Sequence, residues 1–357
     1  MKPTEALHEL GQSLWLDNIT RGMLDAGTIQ RYIDDYSVTG LTSNPSIFDH
    51  AISTGGYDEA IRGASRDGLS SEDLFFELAI DDLRRAADLF LPVHERTDGV
   101  DGWVSLEVSP LLAYDTDRTV AAAKELHARA GRRNLFIKIP GTAEGLPAIE
   151  EAIAAGIPVN VTLLFSADQY VAAADAYLRG IERRLEAGLD PVVGSVASVF
   201  MSRWDVAVKD AVPAELRNGL GLAVGLDVYR AYRSLLESDR FEALANAGAR
   251  AQRLLWASTK TKDATADDTL YVHGLAAPFT VNTMPDDTLE AFFDHGTIGD
   301  PLPHDGAAAA ERLAAYNAAG VDTAGLAAKL QGEGATAFVN SWNDLIAKID
   351  AQRATLT

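Results

Sequence analysis

The feature that most constrains this chain is an alternation repeated along most of its length: a short, almost unbroken apolar run, a polar turn, then a longer amphipathic stretch. The short runs are Ser13–Asp17, Val38–Ser43, Val104–Val108, Leu135–Ile139, Pro158–Phe165, Val192–Phe200 and Arg253–Thr259, with an eighth inside Thr269–Met284. They are nearly continuous in hydrophobicity, so they read as strands buried on both faces, the habit of parallel sheets. The stretches between them carry helix punctuation. Thr116–Ala130 follows Asp115 and stops at Gly131, while Ser70–Phe90 has acids in its first turn and apolar residues at helical spacing. Ser166–Ala187 opens on Ser166 with Gln169 three residues on, a capping-box spacing, and stops before Gly188. A long helical region runs from about Pro213 to Ala249. Strands alternating with helices imply βαβ units. Eight such units favour a closed (β/α)8 barrel over an open doubly wound sheet. The length of 357 residues suits one barrel, a fold that runs from roughly 200 to over 400 residues, better than two ordinary domains. The expectation is a single barrel domain over 1–357. A helical tail from about 305 to 357 packs outside the barrel, and Gly332-Glu333-Gly334 is a turn separating the last helices.

Composition removes several classes of function. With 31 basic against 52 acidic residues the formal net charge is −21, which repels nucleic acid and anionic membranes, so neither is an expected partner. The absence of cysteine excludes disulfides, thiolate metal sites and a cysteine nucleophile. The seven histidines show no His-x-His or His-Glu-x-x-His spacing, and the glycines form neither a Walker A nor a dinucleotide fingerprint. No metal and no organic cofactor are expected. No segment approaches the roughly 18 apolar residues of a membrane span, and no signal peptide is visible, which leads us to expect a cytoplasmic protein. Monomer and homodimer are both compatible with the sequence.

In a barrel of this type the chemistry sits at the C-terminal ends of the strands. Read in order, those ends deliver Asp17, then Thr42, Ser43 and Asn44, then Glu107, then Lys138. Asn160 and Thr162 follow on the fifth, Ser198 and shortly after it Arg203 on the sixth, and Ser258 with Lys260 and Lys262 on the seventh. Lys138 is the sharpest of these. It lies between Ile137 and Ile139, and an inward lysine there would be desolvated toward the neutral amine that attacks a carbonyl. An outward lysine that merely solubilises the strand is the alternative. Asp17 and Glu107 are candidate proton handlers for Schiff-base chemistry, although Asp17 is equally readable as a helix cap. Asn44 and Asn160 could hold sugar hydroxyls, and Ser43-Asn44-Pro45-Ser46 also suits a plain strand-to-helix turn. Arg203, Ser258, Lys260 and Lys262 read as a phosphate clamp, with pairing of Arg203 to Asp205 as the competing possibility.

The collinear stretches 41–48 (Leu-Thr-Ser-Asn-Pro-Ser-Ile-Phe), 104–110 (Val-Ser-Leu-Glu-Val-Ser-Pro), 136–142 (Phe-Ile-Lys-Ile-Pro-Gly-Thr), 160–166 (Asn-Val-Thr-Leu-Leu-Phe-Ser), 198–205 (Ser-Val-Phe-Met-Ser-Arg-Trp-Asp) and 255–260 (Leu-Trp-Ala-Ser-Thr-Lys) closely resemble the transaldolases of the pentose phosphate pathway. The resemblance implies an (α/β)8 barrel that transfers a dihydroxyacetone unit between sugar phosphates. By the same resemblance, Lys138 is the Schiff-base nucleophile, Asp17 the base at the donor's C4 hydroxyl, and Glu107 with Thr162 the holders of the water used in imine formation. Thr42, Asn44, Asn160 and Ser198 bind the dihydroxyacetone portion, and Arg203 and Ser258 the phosphate. One departure concerns the clamp. The family often has Arg where this chain has Lys260, and longer relatives have a Lys matching Lys262, so the phosphate cation is either of these. A lysine there gives a point charge without the bidentate fork of arginine.

Phe200 bears on the outcome of the reaction. An apolar ring beside the bound three-carbon enamine discourages its protonation and hydrolysis, whereas a tyrosine hydroxyl would assist release. The leading expectation is a transaldolase. A fructose-6-phosphate aldolase or a specialised sugar-building transaldolase is the nearer rival, and a non-catalytic sugar-phosphate-binding barrel the more remote one.

Overall fold

Strands without a polar face need cover on both sides, and a sheet that closes on itself beneath a ring of helices supplies it. The computed structural model of the chain describes residues 1–53, 55–64 and 68–356. Among these residues the eight strands are β1 Ser13–Leu16, β2 Val38–Leu41, β3 Val104–Glu107, β4 Leu135–Pro140, β5 Val159–Leu164, β6 Ser195–Phe200, β7 Arg253–Ala257 and β8 Val281–Met284. Every strand residue is buried. Each strand pairs in parallel with the next in sequence, and β8 closes on β1. The fold is the expected (β/α)8 barrel.

The N-terminal end of the barrel is plugged by aromatic rings. Trp103 stacks on Phe136 with centroids 4.1 Å apart, and Trp15 lies 6.0 Å from the same ring. The Trp15 indole rests directly on β2 at Gly40, where a Cβ would stand 2.6 Å from ring atoms, so only glycine admits that approach.

Helix Thr116–Ala130 is capped by Asp115, whose carboxylate accepts from Arg118 N at 3.0 Å, and ends at Gly131 with φ 58°. Helix Ala167–Glu186 is capped by Ser166, which accepts from Gln169 N at 3.2 Å. The reciprocal arm of the capping box is displaced by one residue, because the Gln169 side chain accepts from Phe165 N at 2.7 Å. Helix Ser71–Arg96 continues past Phe90 and through Pro92. The helical region after Pro213 is broken into a 3-10 turn Ala214–Leu216 and helices Leu220–Leu236 and Asp239–Asn246, the last capped by Ser238.

The tail departs from the sequence expectation in one respect. After helix Ala309–Ala318, a single helix runs Thr323–Leu356 straight through Gly332 and Gly334, with no turn there. Gly334 is needed for closeness: a Cβ on it would stand 2.9 Å from Leu163 Cδ2 and 3.2 Å from an Arg203 guanidinium nitrogen. The helix lies over the C-terminal end of the barrel. Gln331 Nε2 donates to the carbonyls of Gly141 and Leu163, each at 3.0 Å, and Trp342 packs edge-on to Phe75 at 5.0 Å.

Candidate active site

Register assembles the centre of the site. In parallel strands, residues in register share a face, and Glu107 on β3, Lys138 on β4 and Asn160 on β5 form one such row. Lys138 is therefore inside the barrel, 6% exposed, and the outward alternative is excluded. Its Nζ lies 3.4 Å from Glu107 Oε2 and donates to the Ser43 carbonyl at 3.3 Å. Asn160 sits behind it, donating to Ser105 Oγ at 3.1 Å and accepting from Ser198 Oγ at 2.7 Å.

Asp17 follows the end of β1 and accepts from Thr42 Oγ1 at 2.7 Å; that hydroxyl is in turn 2.7 Å from Thr283 Oγ1. Asp17 is no helix cap. Thr20 performs that task for helix Arg21–Asp25, accepting from Met23 N at 3.1 Å. Burial pushes the Asp17 carboxyl above the usual aspartate range, against the pull of the Lys138 ammonium, the Thr42 hydroxyl and Lys262. Burial likewise pushes up the Glu107 carboxyl, and Lys138 only partly counteracts it. Apart from that ion pair both Glu107 oxygens, and with them the buried Thr162 hydroxyl, are without hydrogen-bond partners among the described residues. Next to Thr162, β5 loses register with β6 and Leu163 takes a φ of 61°, a left-handed conformation that a leucine adopts only under constraint.

A cavity of about 260 Å³ opens above this row. Every residue named from the sequence at the strand ends lines it except Ser43, Glu107 and Asn160. Asn44 has a double position: it borders the cavity, yet its Oδ1 accepts from Ser46 N at 3.1 Å and Ile47 N at 3.3 Å and so caps helix Pro45–Ser53. At the outer end, Arg203 lies with its guanidinium 5.2 Å from the Phe200 ring. It does not pair with Asp205, whose carboxylate accepts instead from Leu220 N, Gly221 N and Tyr271 OH at 2.9, 3.0 and 2.6 Å. Ser258, with φ 55°, is 3.0 Å from Ser202 Oγ. Lys260 is tied to Asp287 by an ion pair. Among the described residues Arg203 and Lys262 form no ion pair, and burial together with Lys260 holds the Lys262 ammonium below the usual lysine range.

Thr283 and Phe338 are among the lining residues that nothing in the sequence singles out. Thr283 is the polar end of β8, a strand located in the sequence only to within sixteen residues, Thr269–Met284. Phe338 comes from the tail helix and puts its ring centroid 5.8 Å from Lys138 Nζ. Among the described residues no cluster of three or more histidine, aspartate or glutamate side chains could hold a metal ion. Among the described residues no helix is long and apolar enough to cross a membrane.

Comparison with known proteins agrees with this architecture. The family model for transaldolase/fructose-6-phosphate aldolase matches residues 14–349. The chain is 46% identical to the transaldolase of Thermobifida fusca, covering 99% of both sequences. It is 43% identical to that of an Arthrobacter species, with 99% of this chain and 98% of the relative aligned, and 44% identical to that of Saccharopolyspora erythraea, with 98% and 97% aligned. The chain is an enzyme of the transaldolase/fructose-6-phosphate aldolase family.

Proposed function

We propose that Lys138 forms a Schiff base with a ketose phosphate, such as sedoheptulose 7-phosphate or fructose 6-phosphate, and that the enzyme passes its dihydroxyacetone unit to an aldose phosphate such as glyceraldehyde 3-phosphate or erythrose 4-phosphate. The observation that carries the reading is a buried lysine flanked by two carboxylates, beneath a cavity whose outer end holds Arg203 and Lys262, neither in an ion pair among the described residues.

The Lys138 amine adds to the C2 carbonyl, and the carbinolamine expels water to give the iminium. Glu107 and the Thr162 hydroxyl, both buried and short of partners, are the pair to hold that water and move its protons. Asp17 then takes the proton of the C4 hydroxyl, the C3–C4 bond breaks, and its electrons pass into the iminium to give an enamine. Asp17 must be ionised to act, and its cationic neighbours Lys138 and Lys262 favour that state. The aldose phosphate leaves, an acceptor aldehyde enters, and the enamine attacks it. Return of water to the new iminium frees the product. Thr42, Ser198 and the amide NH2 of Asn44 are suited to the hydroxyls of the three-carbon unit, and Asn160, which accepts from Ser198 Oγ, orients that hydroxyl. Arg203, Ser258 and Lys262 are suited to the phosphate; Lys260, already held by Asp287, is the weaker candidate.

Transfer is favoured over release by one specific feature: the residue beside the reacting carbons is Phe200, backed by Phe165 at 5.4 Å, and no tyrosine lines the cavity among the described residues. Phe200→Tyr is expected to raise dihydroxyacetone release; unchanged release would count against the assignment. The direct test is intact mass after borohydride reduction with fructose 6-phosphate. An adduct of dihydroxyacetone size on the wild type, absent from Lys138→Arg, is the expected result. Its absence from folded wild-type protein would leave a sugar-phosphate-binding barrel as the better reading.

A further inference from the structure

The tail helix carries a residue into the site that the reaction above leaves without a task. Gln331, Gly334, Phe338 and Trp342 recur at three- and four-residue intervals and so share one face of helix Thr323–Leu356. That face is fixed to the barrel at three points besides Phe338. Gln331 donates to the Gly141 and Leu163 carbonyls, Gly334 packs against Leu163, and Trp342 seats against Phe75 and Phe76 with centroids 5.0 and 5.7 Å away. Phe338, in the middle, is held over the cavity. Its ring is 5.8 Å from Lys138 Nζ and 6.5 Å, edge-on, from Phe200, so the two phenylalanines form a continuous apolar wall beside the nucleophile. Phe338 is half-buried, standing on the solvent side of Lys138.

We propose that Phe338 is a specificity-determining residue that keeps water from the enamine and thereby sets how much of the three-carbon unit is transferred rather than released. The proposal rests on the Schiff-base reading. Release needs a proton on C3 of the enamine, then addition of water to C2 of the iminium and cleavage of the C2–N bond, which returns the amine to Lys138 and frees dihydroxyacetone. Transfer needs neither proton nor water until the acceptor has been joined. An apolar ring beside the enamine slows delivery of the proton to C3, the one step that only the first route requires; hydrolysis of the iminium is common to both.

The test is the ratio of dihydroxyacetone released without acceptor to product formed with acceptor, measured for wild type, Phe338→Ala, Phe338→Met and Trp342→Leu. Phe338→Ala is expected to raise the ratio on the order of tenfold, and Phe338→Met, apolar and of similar reach, to stay near the wild type. Trp342→Leu loosens the same helix away from the cavity and is expected to leave the ratio unchanged at temperatures where it stays folded. An unchanged ratio in Phe338→Ala, with the borohydride adduct still forming on the wild type, overturns the proposal alone. An equal rise in Trp342→Leu also overturns it, because the effect would then belong to helix docking. Failure of the wild type to form an adduct overturns the Schiff-base reading, and this proposal with it.

Discussion

The two ends of the barrel both bury charge, and they do so in opposite ways. At the N-terminal end Asp101 accepts from Trp15 Nε1 at 2.7 Å, from Gly102 N at 3.2 Å and from the Ser13 hydroxyl, with Arg253 3.9 Å away. Arg253 in turn donates to Ser13 Oγ at 2.6 Å and the Thr280 carbonyl at 2.8 Å. A groove of about 570 Å³ beside that end is larger than the cavity over Lys138, yet its cations are already committed, Arg133 to Glu95 at 2.5 Å and Arg250 to Asp98 at 2.8 Å. At the C-terminal end, among the described residues, Glu107 has only its ion pair with Lys138 and Thr162 has no hydrogen-bond partner, burial raises the Asp17 carboxyl above the usual aspartate range, and Arg203 and Lys262 form no ion pair. Buried polarity with its partners present specifies a fold. At the N-terminal end the leftovers are single atoms of otherwise bonded groups, Arg253 Nε, Gln12 Oε1, Asn134 Oδ1 and Gln252 Oε1. At the C-terminal end the Glu107 carboxylate beyond its ion pair and the whole Thr162 hydroxyl are left for a ligand. Cavity size alone would select the other end.

Exchanging the two kinds of lesion breaks or sharpens that contrast. Lys138→Ala is expected to lower turnover by ~10⁴-fold or more, since it removes the covalent route itself, while melting close to the wild type. Asp101→Ala should do the reverse. It strands the Arg253 guanidinium in the interior and is expected to cost about 3–5 kcal/mol of stability by denaturant titration, with turnover per folded molecule near normal. Comparable losses of both quantities in both variants would refute the division.

Asp17→Asn comes next in size. Donor cleavage should fall by roughly 10²–10⁴, the range of a lost general base, and the protein should melt higher at pH 7. The sign follows from the raised carboxyl. A folded state that binds the proton more tightly than the unfolded chain gains stability below the unfolded aspartate value, about 3.9, and loses it as pH rises through the folded value. At neutral pH the ionised, desolvated carboxylate is a cost, which asparagine removes while still able to accept from Thr42. The melting difference between variant and wild type should therefore grow from pH 4 to pH 7. A constant difference would mean that Asp17 titrates normally.

The contrast between the ends was partly legible in the sequence. Lys138 was conspicuous because a single charge inside an apolar run has few structural excuses, and Glu107 was so for the same reason. Once the strands were recognised, topology supplied their convergence. What was hidden depends on contacts between distant segments. Nothing local to Phe338 separates it from the other apolar residues of an ordinary helix; its role comes from a docking fixed by Gln331 against β4 and β5, some 170–190 positions away. Gly332 and Gly334 suggest a turn because glycine weakens helices by about 1 kcal/mol each. The close approach of Gly334 to Leu163, which reverses that inference, lies wholly in tertiary structure. Asp17 and Asn44 show the same limit from the other side: the sequence offers Asp17 as a cap and Asn44 as part of a turn, and it is Asn44 that caps a helix.

The smallest expected effects separate the two rim lysines. Lys260 is engaged by Asp287, both side chains being largely exposed, so Lys260→Met should change KM for the ketose phosphate by no more than about twofold, as exposed pairs contribute little. Lys262 has no acidic partner among the described residues and should matter more, with Lys262→Met raising KM by roughly tenfold and less so at high salt. A second readout is independent of phosphate affinity. Lys262 is one of the cations that draw the Asp17 carboxyl down, and Lys260 is not among its main influences. Removing Lys262 lets burial push that carboxyl still higher, so the acid limb of the kcat/KM profile should move to higher pH in Lys262→Met and stay in place in Lys260→Met. Equal shifts in both variants would mean that the rim acts on Asp17 as a diffuse positive field. A shift confined to Lys262→Met would identify one lysine that both holds the phosphate and keeps the base ionised.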